Sequence, residues 1–248
     1  MTVAPEAGAY GAQFAHFYDR LFPRDAGADA AVVYLAALHR PELGPPLELG
    51  VGTGRIAAPL SERVGEVIGV DASSEMLAEL ERAGGDVRPV LGDMRTHDGA
   101  GGHGLVYCVL GSLSIVLDPA EQRAAVAAMA ESAAPGAAVV IETHNPAPVR
   151  ELHGDRRTET IFVPYPEPDT ALQSHSVLEG DLWQLSHVFF DAGRARIASE
   201  LSRMIEPDDL DAWARDAGLD REARHGDWLG TPARGGEPMV VSTYRRPA

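Results

Sequence analysis

The sequence predicts an α/β fold: a seven-stranded, mostly parallel sheet with helices on both faces, an N-terminal helical cap and an antiparallel β insertion. Three observations predict it. Strand-like and helix-like runs alternate between about residues 47 and 143, the pattern of a parallel sheet covered on both sides. A glycine-dense turn joins the first strand of that run to its first helix. After Thr143 the texture changes to β-branched and aromatic residues mixed with polar ones, without βα spacing. A chain of 248 residues with 45% hydrophobic side chains is long enough for one large core. It reads as a single domain over 1–248, with a cap at 1–44, a core at 45–149, the insertion at 150–204 and a closing helix with two strands at 205–248.

The elements follow in order. Tyr10, Phe14, Phe17, Tyr18, Leu21 and Phe22 recur at spacings of three and four, the stripe of an amphipathic helix that ends at Pro23. A second helix runs from about Asp29 to His39 and stops at Pro41 and Gly44-Pro45-Pro46. Then come strand Leu47–Leu49, helix Arg55–Arg63, strand Val67–Val70, helix Ser74–Ala83, strands Val87–Leu91 and Leu105–Leu110, helix Pro119–Ala133 and strand Ala137–Thr143. Asp118-Pro119 supplies a cap and a first-turn proline, and Ser73 or Ser74 caps the helix bearing Met76, Leu77 and Leu80. Pro207 opens a last helix through Trp213 to Gly218, and strands near Leu219–Arg224 and Met239–Tyr244 flank a glycine- and proline-rich loop. Seven strands in this arrangement describe a Rossmann-like sheet with right-handed crossovers.

Charge and cysteine usage narrow the function. The 37 acidic and 21 basic residues leave a formal charge of −16, a surface that repels nucleic-acid backbones and anionic lipid headgroups. Nucleic acid and membranes are therefore not expected as partners; a second copy of the chain, as a homodimer, is left open. The lone Cys108 lies in an apolar run and reads as a buried spectator thiol. No run of eighteen apolar residues and no basic, apolar leader is present, so a cytoplasmic protein is expected.

The stretch LELGVGTGRIAAPL at 47–60 reads as strand, tight turn and helix, in which glycine permits φ > 0 and close approach of a ligand to backbone. A plain surface loop is the alternative. Against it, the next apolar run ends in Asp71, about twenty residues beyond the first glycine, where an acid holds both hydroxyls of a ribose. The glycines stand as G-x-G-x-G at Gly50, Gly52 and Gly54; a dinucleotide turn needs its third glycine at 55, where Arg55 stands. The turn suits a ligand without phosphate.

With LELGVGTGR, GVDAS at 69–73 and GDMR at 92–95, residues 45 to 145 resemble the class I S-adenosylmethionine-dependent methyltransferases. The resemblance implies S-adenosyl-L-methionine as cofactor. It implies that Gly50, Gly52 and Gly54, with Arg55 counted beside them, pack under the methionine and ribose, that Asp71 binds the ribose hydroxyls, and that Asp93 receives the adenine amino group. Met94 on one side and Ala72 and Met76 on the other would sandwich the adenine. Glu48 is expected near the methionine ammonium, directly or through water, and Leu110, Gly111 and Ser112 along the sulfonium end. Read without the resemblance, Asp93 is a turn residue after Gly92 and Met76 a core residue. The aromatic N-terminal helix, the DMR sequence and the insertion resemble the small-molecule branch, the amino-sugar N,N-dimethyltransferases and their glycine-methylating relatives. That branch implies that the cap and the insertion cover the acceptor pocket and that Tyr18 closes over the cofactor.

The expected reaction is in-line methyl transfer to a nitrogen or oxygen of a small-molecule acceptor, in which positioning supplies much of the rate. An amine must arrive neutral, and a hydroxyl needs a base near pH 7. His144, at the carboxyl end of the fifth strand, is the first candidate base, with Glu142 and Asn145 to orient it or the acceptor. His187 in the insertion is the second, with a structural role as its alternative, and Tyr18 joins them at the site. His16 is expected in solvent. Trp183, Tyr165 and Trp228 are candidate stacking rings, with core packing as the alternative. His97, His103, His153 and His175 show no ligand spacing, so no metal is expected. Three other classes stay open: a nicotinamide-dependent oxidoreductase, disfavoured by the displaced glycine; a non-catalytic protein that binds S-adenosylmethionine or S-adenosylhomocysteine; and a macromolecular methyltransferase. The last is disfavoured by the charge and by Leu110-Gly111-Ser112-Leu113, which stands where an Asn-Pro-Pro-Tyr tetrapeptide would.

Overall fold

The computed structural model describes residues 8–97, 101–164, 169–191 and 193–248; Tyr165 lies outside them. The central sheet has seven strands in the order β10-β11-β5-β4-β1-β2-β3. Here β1 is Pro46–Leu49, β2 Val67–Asp71, β3 Val87–Leu91, β4 His103–Cys108, β5 Ala133–His144, β10 Asp220–His225 and β11 Met239–Arg245. Strands β3, β2, β1, β4 and β5 run parallel, and β11 and β10 add antiparallel. Because β1 pairs with β2 on one side and β4 on the other, the chain changes direction beside β1, and ligands of open α/β sheets bind at such a switch.

Two cores cover the sheet. On one face Leu47, Leu49, Val106, Val139 and Ile141 pack against α6 (Pro119–Ser132) and α8 (Pro207–Asp216). On the other, Leu105, Tyr107 and Val140 pack against α3 (Ala26–Leu38), α4 (Ala57–Val64) and α5 (Ser74–Ala83). α5 begins where its local signals put it, with the Ser73 hydroxyl accepting from the Met76 N–H at 3.2 Å and Gly84 at φ 80° closing it. Cys108 is buried, and burial pushes its thiol up.

The N-terminal helix is not continuous. α1 (Ala9–Phe14) and α2 (Tyr18–Leu21) are separated by a 3-10 turn at Ala15–Phe17. The break divides one aromatic stripe between two partners: Phe17 stacks on Phe189 of the insertion with centroids 6.4 Å apart, while Tyr18 turns toward the glycine turn. The insertion is a four-stranded antiparallel sheet, β6 (Thr158–Pro164), β7 (Thr170–Glu179), β8 (Leu182–Asp191) and β9 (Arg194–Arg203). Its inner face joins Phe189 and Ala198 to Phe14, Phe17, Leu21 and Met76 in a third core. A helix the sequence reading omitted, α7 (Pro146–His153), precedes it, capped by Asn145 with a first-turn proline. Among the described residues no helix is long and apolar enough to cross a membrane.

Glu48, central in β1, is 2% exposed, and its Oε2 has no hydrogen-bond partner. Burial pushes its carboxyl up to about 8, while the Tyr107 hydroxyl pulls it down. In the unfolded chain the same proton leaves near 4.5, so this group's stabilisation is complete below that value and is lost as pH rises toward 8. Glu48→Gln is expected to gain stability relative to the wild type between pH 5 and pH 8 by on the order of 3 kcal/mol. Urea unfolding at the two pH values checks this, and an equal difference at both would refute the buried acid.

Candidate active site

The turn between β1 and α4 is held by one carboxylate. Asp71, at the end of β2, accepts the Gly52 N–H on Oδ2 at 2.8 Å and the Ser73 N–H on Oδ1 at 2.9 Å. Burial raises its carboxyl, and the bonds from Ser73, Gly52 and Ala72 oppose the rise. Gly50, Gly52 and Gly54 have φ of 78°, 55° and 84°, a run that L side chains rarely adopt. A Cβ on Gly54 would lie 2.3 Å from Leu80, whereas one on Gly52 would meet nothing within 4 Å. The open space beside Gly52 is a cavity of about 520 Å³.

Six parts of the chain enclose it. Gly50 and Gly52 form the floor, Asp71, Ala72 and Met76 one side, and Asp93, Met94 and Arg95 another. The loop after β4, from Ser112 to Glu121, the cap residues Tyr10, Gln13 and Tyr18, and Ser199 to Arg203 of β9 complete it. Tyr18 is half-buried, and the low-dielectric surroundings raise its phenol above the ordinary value. Asp93 accepts the Arg95 N–H and its Nε on Oδ1, both at 2.9 Å, and Arg95 reaches Glu121 at 2.6 Å. That arginine holds the Asp93 carboxyl below the carboxylate range.

The cap is fastened at several points that the sequence did not disclose. The Thr53 hydroxyl donates to Asp19 at 2.6 Å, and Arg20 pairs with Asp191 of the insertion. Gly11 lies so close to α5 that a Cβ there would fall 2.3 Å from the Ser73 Cβ.

Tyr18, Gly50, Gly52, Asp71, Ala72, Met76, Asp93 and Met94 therefore meet around one cavity. Glu48, Gly54, Arg55 and Leu110 do not line it. Glu48 is buried beneath the turn, and Gly54 packs on α5. Arg55 turns to the cap, donating to the Pro23 carbonyl at 2.9 Å and pairing with Asp25 at 3.2 Å. Leu110 lies beyond the end of β4 at φ 55°, its N–H donated to Glu142.

Both histidines stand behind the lining. His144 packs edge-on to Trp183, with centroids 5.1 Å apart, and sits against Gly111; burial lowers its imidazole. Neither neighbour orients it. Glu142 is taken by the Leu110 N–H and Trp228 Nε1, and Asn145 caps α7 and donates to Gly235. Trp183 is fixed by Ser176, which also holds His153. His187 is buried with Nδ1 on the Ser174 hydroxyl at 2.8 Å. His16 is exposed and faces Glu79.

Glu200 is one of the charged residues of the lining that the sequence does not mark for the site. It shares a face of β9 with the buried Ala198 and Ser202, and only the packing of the strand reveals that this stretch covers the cavity.

The family comparison agrees with this geometry. The sequence model of the methyltransferase domain matches residues 47–136, the segment that supplies the floor and three walls. Over those residues the chain carries a methyltransferase domain. The chain is 30% identical to the dTDP-3-amino-3,6-dideoxy-alpha-D-glucopyranose N,N-dimethyltransferase of Streptomyces fradiae, over 57% of this chain and 56% of that one, just over half of its length. It is 28% identical to the cypemycin N-terminal methyltransferase of a Streptomyces species, over 86% and 88%. The structure of the CcbJ methyltransferase from Streptomyces caelestis superposes with a TM-score of 0.85 at 29% identity, covering 98% of this chain and all of that one. S-adenosylmethionine is the cofactor, and the cavity fits it. Gly52 leaves space where a side chain would intrude, and Asp71 keeps acceptor capacity beyond its backbone bonds.

Asp71→Ala is expected to weaken S-adenosylhomocysteine binding by about 100-fold or more in calorimetry, because it removes both an acceptor and the anchor of the turn. Unchanged affinity would remove Asp71 from the site. Gly11→Ala is expected to weaken the same binding about tenfold by lifting α1 from α5, with little change in the thermal midpoint. If affinity holds, α1 is no part of the cofactor's cover.

Proposed function

We propose that this methyltransferase methylates the nitrogen of a small, cationic amine of specialised metabolism. The observation that carries the reading is the charge of the cavity: Asp71, Asp93, Asp118, Glu121 and Glu200 line it against Arg95 and Arg203. Arg95 is clamped between Asp93 and Glu121, and Arg203 gives its Nε to the Leu117 carbonyl. Such a wall attracts an ammonium and disfavours a phosphorylated group. Both relatives described above are named for methylation of an amine, one on a sugar and one at a peptide terminus.

In this reading Asp71 holds the ribose hydroxyls, Gly50 and Gly52 underlie the methionine arm, and Ala72, Met76 and Met94 enclose the adenine beside Asp93. Tyr18 covers the sulfonium end. Bound S-adenosylmethionine supplies a methyl group already activated on sulfur, so the protein's part is to align the acceptor nitrogen in line with it and keep water out. The cap and the insertion do this from above. Glu48 and Arg55 act on the cofactor only through the turn they support. His144 and His187 stand where the acceptor's proton can go, and burial keeps the His144 imidazole neutral at pH 7.

Incubation with S-adenosylmethionine and a panel of free amino sugars, a nucleotide-linked amino sugar, a short peptide with a free amino terminus and a phenol tests the reading by mass spectrometry. Methyl gain on the phosphate-free amines is expected. Methylation of the phenol, or of the nucleotide-linked sugar alone, would overturn it.

A further inference from the structure

The wall opposite the glycine turn holds a carboxylate whose surroundings are unlike those of the other acids in the cavity. Asp71 is bound by backbone N–H groups and Asp93 by an arginine. Glu200 on β9 lines the same cavity, keeps 16% of its side chain accessible, and faces a histidine ring nitrogen. His187 Nε2 stands 3.5 Å from Glu200 Oε1 and is otherwise buried without a hydrogen-bond partner, while its Nδ1 is held by Ser174. From the cap, Tyr10 and Tyr18 face the same carboxylate. Burial, then the charge of Glu200, raises the Tyr10 phenol; the Tyr18 phenol is raised chiefly by burial and to a lesser degree by the same charge. A partly accessible carboxylate that shares its cavity with two neutral hydroxyls and is backed by an imidazole is built to meet a cation.

We propose that Glu200 is the catalytic residue that receives the acceptor's ammonium group and takes its proton, with His187 behind it as the positioning residue and the exit for that proton. The assignment rests on the amine reading above. One N–H proton passes to a Glu200 oxygen and leaves the nitrogen lone pair free. The nitrogen–methyl bond forms as the sulfur–methyl bond breaks, and the electron pair of the broken bond stays on sulfur. The product departs as the methylated ammonium, and the proton on Glu200 leaves through His187 to solvent. The sequence gives no separate signal for this pair, because Glu200 and His187 lie on neighbouring strands and meet only through the β8–β9 register.

Sinefungin tests the assignment without knowledge of the acceptor, since it carries an ammonium on carbon where the cofactor carries its methylated sulfur. By calorimetry the full chain is expected to bind sinefungin about tenfold more tightly than S-adenosylhomocysteine, as one charge-assisted contact provides. E200Q is expected to bind the two within about twofold, with its S-adenosylhomocysteine affinity unchanged. Equal affinities in the wild type, or a preference that survives in E200Q, would overturn the assignment while leaving the cofactor reading intact. Should E200Q bind neither compound, E200D, which keeps the charge, decides: a retained preference supports the assignment and a lost one overturns it. A wild-type chain that binds neither compound fails the cofactor reading, and the Glu200 assignment with it.

Discussion

The bonds from the Gly52 and Ser73 N–H groups to the Asp71 carboxylate are the constraint on which the site depends. They tie the turn after β1 to the turn after β2, so two βα units present their ends as one surface. A carboxylate in that position is costly to bury, and the backbone donors offset the cost. A turn of three glycines alone would be free to move; the acid makes it a shaped floor.

Everything above that floor is added by parts of the chain outside the βα run. The cap is docked by close packing at Gly11, by the Thr53–Asp19 bond and by Arg55, and it shares a core with the insertion through Phe14, Phe17, Phe189 and Ala198. Cap and insertion therefore enclose the cavity together. The consequence is a cavity with one side that belongs to the sheet and another that belongs to elements with their own, separate core.

Legibility follows the range of the interactions. β3 and α5 fall at the residues expected for them, because Ser73, Gly84 and the apolar spacing act within a few residues. β4 ends two residues early, because Leu110 and Gly111 both turn left-handed and the Leu110 N–H is taken by Glu142 from another strand. α7 is signalled by Asn145-Pro146 as a cap and first-turn proline, and capping occupies the asparagine that would otherwise face His144. Arg55 and Glu48 sit inside the motif, yet their side chains serve the cap and the core. A motif specifies backbone, and side-chain direction depends on what packs against it.

The sequence by itself determined the α/β class, the glycine turn, the acid that follows it and the cofactor they imply, since each is a short-range pattern of backbone need and periodicity. Only the tertiary structure decided which side chains face the cavity. The break in the N-terminal helix, the register that sets Glu200 before His187, and the arginine that clamps Asp93 depend on elements far apart in the chain. Contacts of that kind leave no local pattern, because the residues that make them meet only after the sheet, the cap and the insertion have packed.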